Sequence, residues 1–196
     1  MTSIERHLAT MIPLAKYLTS IATDNLVIKT LTAENMSEDY WGWLNDTDIT
    51  QYLEIRHTKY SRESLSQFVE AMFLSDNDLL MGIFLKSDEN KHIGNIKLGS
   101  LNRRYARADI GIMIGDRNSW GKGYASEAIK GLSAFAFGEI GLRRLYAGMY
   151  ASNKASTKAF LNSGFRQEGI MKGHYFLNGQ LEDGIIVAKL SQEHSV

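Results

Sequence analysis

The spacing of apolar residues switches between period two and period 3.6 along the chain, and each switch marks an element. Residues 25–30 (Asn-Leu-Val-Ile-Lys-Thr) read as a first strand. Residues 34–45 read as a short helix with Tyr40, Trp41 and Trp43 as an aromatic, core-packing face. Ser61 stands where an N-cap belongs and Glu63 where a helix dipole favours an acid. The stripe Leu65, Phe68, Val69, Met72 and Phe73 follows. Strands are predicted at 79–86 and 92–99 across the polar turn 87–91, and a third at 108–114 after a turn at 102–106. Tyr124, Ala128, Leu132, Phe135 and Ala136 then form a second helical stripe. A strand at 143–149, a helix at 153–162 and strands at 165–170 and 182–190 complete the chain, the last two joined through Asn178-Gly179. The order β-α-α-β-β-β-α-β-α-β-β, a meander running into β-α-β, predicts a mixed α/β (α+β) sheet flanked by helices.

Residues 1–22 alternate short apolar pieces with charges and are read as an N-terminal extension. An extra helix and a segment packing on a partner subunit are its two readings. Residues 23–196 are read as a single domain. Lys plus Arg equals Asp plus Glu, 22 each, so no basic excess suggests a nucleic-acid partner, although a local patch stays open. No apolar run approaches the roughly 20 residues that span a bilayer, so no membrane partner is expected. The chain has no cysteine, hence no disulfide, thiolate metal site or cysteine nucleophile. Its five histidines lack metal-ligand spacing, so no metal is expected. These features suit a cytoplasmic protein.

The chemistry concentrates at Trp120-Gly121-Lys122-Gly123-Tyr124-Ala125, between the apolar strand run and the second helical stripe. Glycines let the backbone approach a ligand, and a helix N-terminus offers unpaired N–H groups and a positive dipole end, which together suit phosphate. Spacing separates the candidate motifs. A P-loop needs four residues between its first Gly and Gly-Lys, whereas five separate Gly115 from Gly121, and Gly123 replaces the metal-binding hydroxyl. A dinucleotide fingerprint needs a third Gly where Ser126 stands.

The loop resembles the Gln/Arg-x-x-Gly-x-Gly/Ala pattern of the GNAT N-acetyltransferases, with Trp120 departing from Gln/Arg. Residues 25–190 resemble the RimJ/RimL-type branch of that superfamily. The pieces that carry the resemblance are Ala108–Gly115, Trp120–Ala128, Asn153-Lys-Ala-Ser156 with Ala159–Phe165, Glu168-Gly169, His174-Tyr175 and the Asn-Gly turn into Asp183. It implies the GNAT fold, a mostly antiparallel mixed sheet with splayed central strands, and Gly111 is a candidate bulge at the splay. It also implies acetyl-CoA as co-substrate. The amides of Trp120, Gly121, Lys122, Gly123, Tyr124 and Ala125 would hold the pyrophosphate, and backbone groups of Ile112, Met113 and Ile114 the pantetheine arm. Asn153 would bind its amide, and Ser156 would serve the departing thiolate. Asn153 also fits a helix cap.

A general base must reach the amine directly or through one water. Asp109, which shares strand parity with Gly111 and Met113, is one candidate, and Glu54 with His57 in the segment Tyr52–His57 is another. His174 and Tyr175 complete the set. The expected activity is direct attack of a primary amine on acetyl-CoA in a ternary complex, the absent cysteine weighing against an acetyl-cysteine route. The resemblance favours a protein N-terminus as acceptor. An amino sugar or nucleotide sugar, or a small polyamine or antibiotic, are alternatives, as is a non-catalytic acyl-CoA-binding regulatory domain. A homodimer stays open.

Overall fold

Among the described residues, eight strands form one sheet in the order β1-β2-β3-β4-β5-β6-β8-β7. They are β1 (Ser20–Ala22), β2 (Leu26–Thr30), β3 (Leu79–Leu85), β4 (His92–Asn102), β5 (Arg107–Ile114), β6 (Arg144–Tyr150), β7 (Arg166–Leu177) and β8 (Gln180–Leu190). The computed structural model describes residues 19–88 and 91–191. All neighbours are antiparallel except β5 and β6. That parallel pair bonds only from Arg107↔Arg144 to Asp109↔Tyr146. Beyond Asp109 the two strands part, while β5 stays paired to β4 as far as Ile114↔Gly94.

Helices cover the two faces. The helix α4 (Tyr124–Gly138) buries Ala128, Ile129, Leu132 and Ala136 in a core that includes Ile28, Met81, Ile96, Ile110 and Leu145. Full burial of a side chain such as Leu132 is worth about 1.5–3 kcal/mol. Glu127, in the first turn of α4, accepts from Thr23 Oγ1 (2.5 Å) and from the Asn25 amide (2.7 Å), which ties the helix to the β1–β2 turn. A second cluster gathers Tyr40, Trp43 and Leu44 of α1 (Glu38–Asn45) with Leu65 and Val69 of α3 (Arg62–Phe73) over Leu80 and Phe84. Ser61 and Ser64 close a reciprocal cap at the start of α3. Between these helices lie the four-residue α2 (Thr47–Thr50) and a 3₁₀ turn, Glu54–His57. The last helix, α5 (Lys154–Leu161), follows β6.

The predicted order holds, with two short additions, β1 and α2. Ser20–Ala22, within the predicted extension, is strand; residues 1–18, on which its two readings mainly fall, lie outside the described residues. Gly111 is not a bulge. It pairs in register with Lys97, and the irregularity of the β4–β5 ladder lies between Gly99 and Asn102. The splay needs no extra residue there, because β5 and β6 simply stop bonding after Asp109. Trp41 belongs to the surface rather than the core: its indole donates to the Tyr60 carbonyl (2.7 Å) and Arg62 stacks on its ring. Asn178 (φ 50°) and Gly179 (φ 79°) form the expected turn, but β7 runs on to Leu177, past an irregularity between Met171 and Tyr175.

Candidate active site

A cleft of about 590 Å³ opens where β5 and β6 part. Ile112, Met113 and Ile114 line one wall, the loop residues Trp120, Gly121, Gly123, Tyr124 and Ala125 another, and Asn153, Ser156 and Asn162 a third. Two glycines shape the loop wall. Gly121 (φ 73°) and Gly123 (φ 85°) are left-handed, a conformation that costs an L-residue roughly 1–2 kcal/mol. Gly123 is also the N-cap of α4 and has no side chain to cap it, so the first-turn amides lack an intrahelical partner. On the β5 wall, the Gly115 amide bonds to the Ile93 carbonyl of β4. Strand alternation therefore turns Met113 towards β4 and aims the backbone groups of Ile112 and Ile114 into the gap.

Trp120 has a structural role of its own. Its indole N–H donates to the Ile114 carbonyl (2.7 Å), joining the glycine loop to the end of β5. Arg117 stacks on its ring (5.3 Å) and reaches back to Asp46 (2.9 Å) and Asp48 (3.2 Å) at α2. The Arg117 guanidinium beside Asp46 holds that carboxyl below the usual carboxylate range. The helices on either side of the cleft are also joined. Ser163 Oγ donates to the carbonyls of Ser126 (3.0 Å) and Ala159 (2.7 Å). Asn153 caps α5, its Oδ1 accepting from the Ser156 amide (3.1 Å), while the Ser156 hydroxyl makes no hydrogen bond among the described residues.

Tyr52 and Leu53 line the cleft's other end, and beyond them lies a side-chain cluster. Tyr150, the last residue of β6, donates to Glu54 Oε1 (3.0 Å) and accepts from Arg56 Nη1 (2.7 Å). Arg56 Nη1 also donates to the Gln51 carbonyl (3.1 Å), and Nη2 to the Phe176 carbonyl (3.0 Å). Tyr175 stacks on Tyr150 with ring centroids 4.0 Å apart, His174 meets Tyr175 edge-on, and Tyr52 tilts against Tyr150 at 5.7 Å. Burial pushes the Tyr150 hydroxyl up; the Arg56 hydrogen bond opposes this and the bond to Glu54 adds to it.

The structure thus gathers Ile112, Met113, Ile114, Trp120, Gly121, Gly123, Tyr124, Ala125, Asn153 and Ser156 around one cleft and places Glu54 beside it. Lys122, Asp109 and Glu54 itself do not line that cleft, although Tyr52 and Leu53 next to Glu54 do. Asp109 sits where β5 and β6 still pair, its carboxylate against Gly99 of β4. His57 is exposed at the end of the 3₁₀ turn. The geometry fits an extended ligand that ends in phosphate: a strand edge for an amide-bearing arm, then uncapped amides at a helix start. The model of the acetyltransferase (GNAT) domain matches residues 25–166.

The chain belongs to the GNAT acetyltransferase family. It is an acetyl-CoA-dependent N-acetyltransferase of that family. This GNAT chain is 27% identical over 161 residues to the uncharacterized N-acetyltransferase YoaA of Bacillus subtilis, covering 81% of this chain and 89% of that one. Its fold is shared with RimL, a ribosomal L7/L12 α-N-protein acetyltransferase solved with coenzyme A (TM-score 0.79, 20% identity, 88% of this chain and 98% of that one). It is shared as well with a spermidine N-acetyltransferase from Vibrio cholerae solved with CoA and spermine (TM-score 0.75, 20% identity, 85% and 95%).

Reading the sequence of this GNAT enzyme missed Tyr150, Arg56 and the Asp46–Arg117–Trp120 chain of contacts. Tyr150 had a signal: it stands three residues before Asn153, one beyond the predicted end of its strand. Arg56 lay inside a segment already singled out, but nothing local shows that its guanidinium meets residues far along the chain.

Proposed function

We propose that this GNAT enzyme acetylates a peptide α-amine by direct attack, with Glu54 as base and Ser156 serving the leaving group. The observation that carries this is the continuity of the cleft. It runs from the uncapped start of α4, past the free edge of β5 and Ser156, to Tyr52 and Leu53 beside Glu54. Bound acetyl-CoA supplies the thioester. The first-turn amides of α4 would hold its pyrophosphate, and Ile112 with the cleft face of α5 its pantetheine arm. Trp120 already holds the Ile114 carbonyl, so Ile112 offers the freer backbone groups.

Tyr150 occupies Glu54 Oε1 and orients the carboxylate, leaving Oε2 to take a proton from the amine. As the amine nitrogen bonds to the carbonyl carbon and the carbon–sulfur bond breaks, the Ser156 hydroxyl donates to the departing thiolate. Asn153 fixes the first turn on which Ser156 stands. An α-amine, with pKa near 7.7–8.0, is partly neutral at physiological pH, whereas an alkylamine near 10.4 is almost wholly protonated. One carboxylate therefore suits an α-amine acceptor better. Release of free thiol from acetyl-CoA with a peptide amide, with intersecting initial-rate lines, is the expected result. Parallel lines would rule out direct attack. Tight acetyl-CoA binding with no thiol release would favour a regulatory domain.

A further inference from the structure

The acceptor end of the cleft holds a fixed positive charge whose purpose the transfer reaction alone does not explain. Arg56 is half-buried and held at three points: the Gln51 carbonyl (3.1 Å), the Tyr150 hydroxyl (2.7 Å) and the Phe176 carbonyl (3.0 Å). Its guanidinium lies 5.2 Å from the centre of the Tyr150 ring, and the Tyr150 hydroxyl bonds to Glu54. An amine delivered to Glu54 therefore arrives beside a cation that cannot swing away.

Each neighbouring carboxylate already has at least one partner. Glu182 accepts from the Ser152 amide (2.6 Å), and Asp183 from Lys172 (2.7 Å) and the Gly173 amide (2.9 Å). Asp46 and Asp48 share Arg117. Glu54 Oε2, which faces the reaction in the proposed mechanism, is without a hydrogen bond among the described residues, as are Glu182 Oε2 and Asp48 Oδ1. An acceptor with one ammonium loses its charge when Glu54 takes the proton. A polyamine keeps a second and third ammonium, and these must be placed close to the fixed Arg56 guanidinium. Rejection by a like charge is a common route to specificity.

We infer that Arg56 is a specificity-determining residue, a charge filter that admits amines carrying a single ammonium and rejects polyamines. This rests on the reading of Glu54 as the base. The test compares kcat/KM for an uncharged tetrapeptide amide with that for spermidine. In the unaltered enzyme the peptide is favoured about a hundredfold. Arg56→Gln narrows that ratio at least tenfold, chiefly by improving spermidine, whereas Arg56→Lys, which keeps the charge, retains most of it. Raising the salt from 50 to 500 mM shrinks the ratio in the unaltered enzyme and not in Arg56→Gln, because salt screens the guanidinium. Spermidine favoured by the unaltered enzyme, or equal losses in the Gln and Lys variants, would overturn the filter. Transfer to neither amine by an enzyme that binds acetyl-CoA would overturn the catalytic reading itself, and the filter with it.

Discussion

The proposed donor and acceptor ends of the cleft are made of different materials. The donor end is backbone: two left-handed glycines, the uncapped start of α4 and the edge of β5 left free by the splay. The acceptor end is side chain: Glu54, Arg56, Tyr150 and Tyr175, drawn from a 3₁₀ turn and the ends of two strands. Backbone groups are fixed by the fold and tolerate much sequence change, which suits a co-substrate that does not vary. Side-chain groups change one residue at a time, which suits an acceptor that does. Substitutions at the donor end should therefore act on acetyl-CoA affinity, and those at the acceptor end on turnover and choice of amine.

The largest effect is expected at the acceptor end. Glu54→Gln keeps an oxygen for the Tyr150 hydroxyl and removes the proposed base. Loss of general-base catalysis typically costs 10²–10⁴-fold, so kcat should fall about a hundredfold or more. Acetyl-CoA affinity, measured by calorimetry, should stay within about twofold. Unchanged turnover would move the base elsewhere, and a large loss of donor affinity would erase the division between the two ends.

Both ends rest on a third region, which titrates. His92 is 4% exposed, packed among Phe84, Trp43 and Tyr40. It accepts from the Ser37 amide (3.3 Å) at the cap of α1, and its other nitrogen faces the Gly94 carbonyl (2.9 Å). Trp43 from the same box lies against Gly115, just past β5, so tightly that a Cβ there would come within 2.0 Å. Burial pushes the imidazole down to about 4 from its ordinary 6.5. The unfolded chain takes up the proton first, so this contribution to stability is complete above pH 6.5 and is lost as pH falls towards 4. At pH 5 the loss relative to pH 7.5 should be about 2 kcal/mol in denaturant titrations. His92→Phe should flatten that dependence. An equally steep slope in the variant would assign it to other groups.

A smaller effect, confined to the donor end, is expected from Gly123→Val. A Cβ there meets open space, so the cost is the left-handed φ of 85° and the re-aimed amides. The acetyl-CoA dissociation constant should rise about tenfold, or ~1.4 kcal/mol, with kcat at saturation little changed. Unaltered affinity in a folded variant would remove the loop from the donor site.

The same contrast governs what could be read from the sequence. The proposed donor end could be assembled from the sequence because its residues are local. Glycine spacing, a strand before it and a helix after it all lie between residues 108 and 138, and Asn153 with Ser156 share one helical turn. The acceptor end was legible only in part: Glu54 and Tyr175 stood among the candidates, but the contacts that gather them are long-range, Arg56 and Tyr150 being 94 residues apart and Arg56 and Phe176 120. Asp109 shows the limit of strand parity. Parity gives a residue's face but not its height along the strand, and Asp109 stands at the paired end of the splay. The β7 strand was cut short at residue 170 because Gly173 (φ 57°) and the irregular register around it break the alternation, though pairing resumes at Tyr175↔Glu182. The three-residue β1 and four-residue α2 are too short for any period to show.

The smallest predicted effect tests whether a side chain can matter at the backbone end. Trp120 stands where the family pattern has Gln or Arg, and its indole N–H holds the Ile114 carbonyl at 2.7 Å. Trp120→Phe keeps an aromatic face for Arg117 and removes the donor. A single neutral hydrogen bond at a partly exposed position is worth about 0.5–1.5 kcal/mol. Freeing the Ile114 carbonyl also loosens the corner between β5 and the loop. The acetyl-CoA dissociation constant should rise about threefold, with kcat and the peptide-to-spermidine ratio unchanged. Trp120→Gln, which restores an N–H donor of the family's type, should recover most of that affinity. If the Gln variant is no better than Phe, the indole acts by packing against Arg117 rather than by its hydrogen bond.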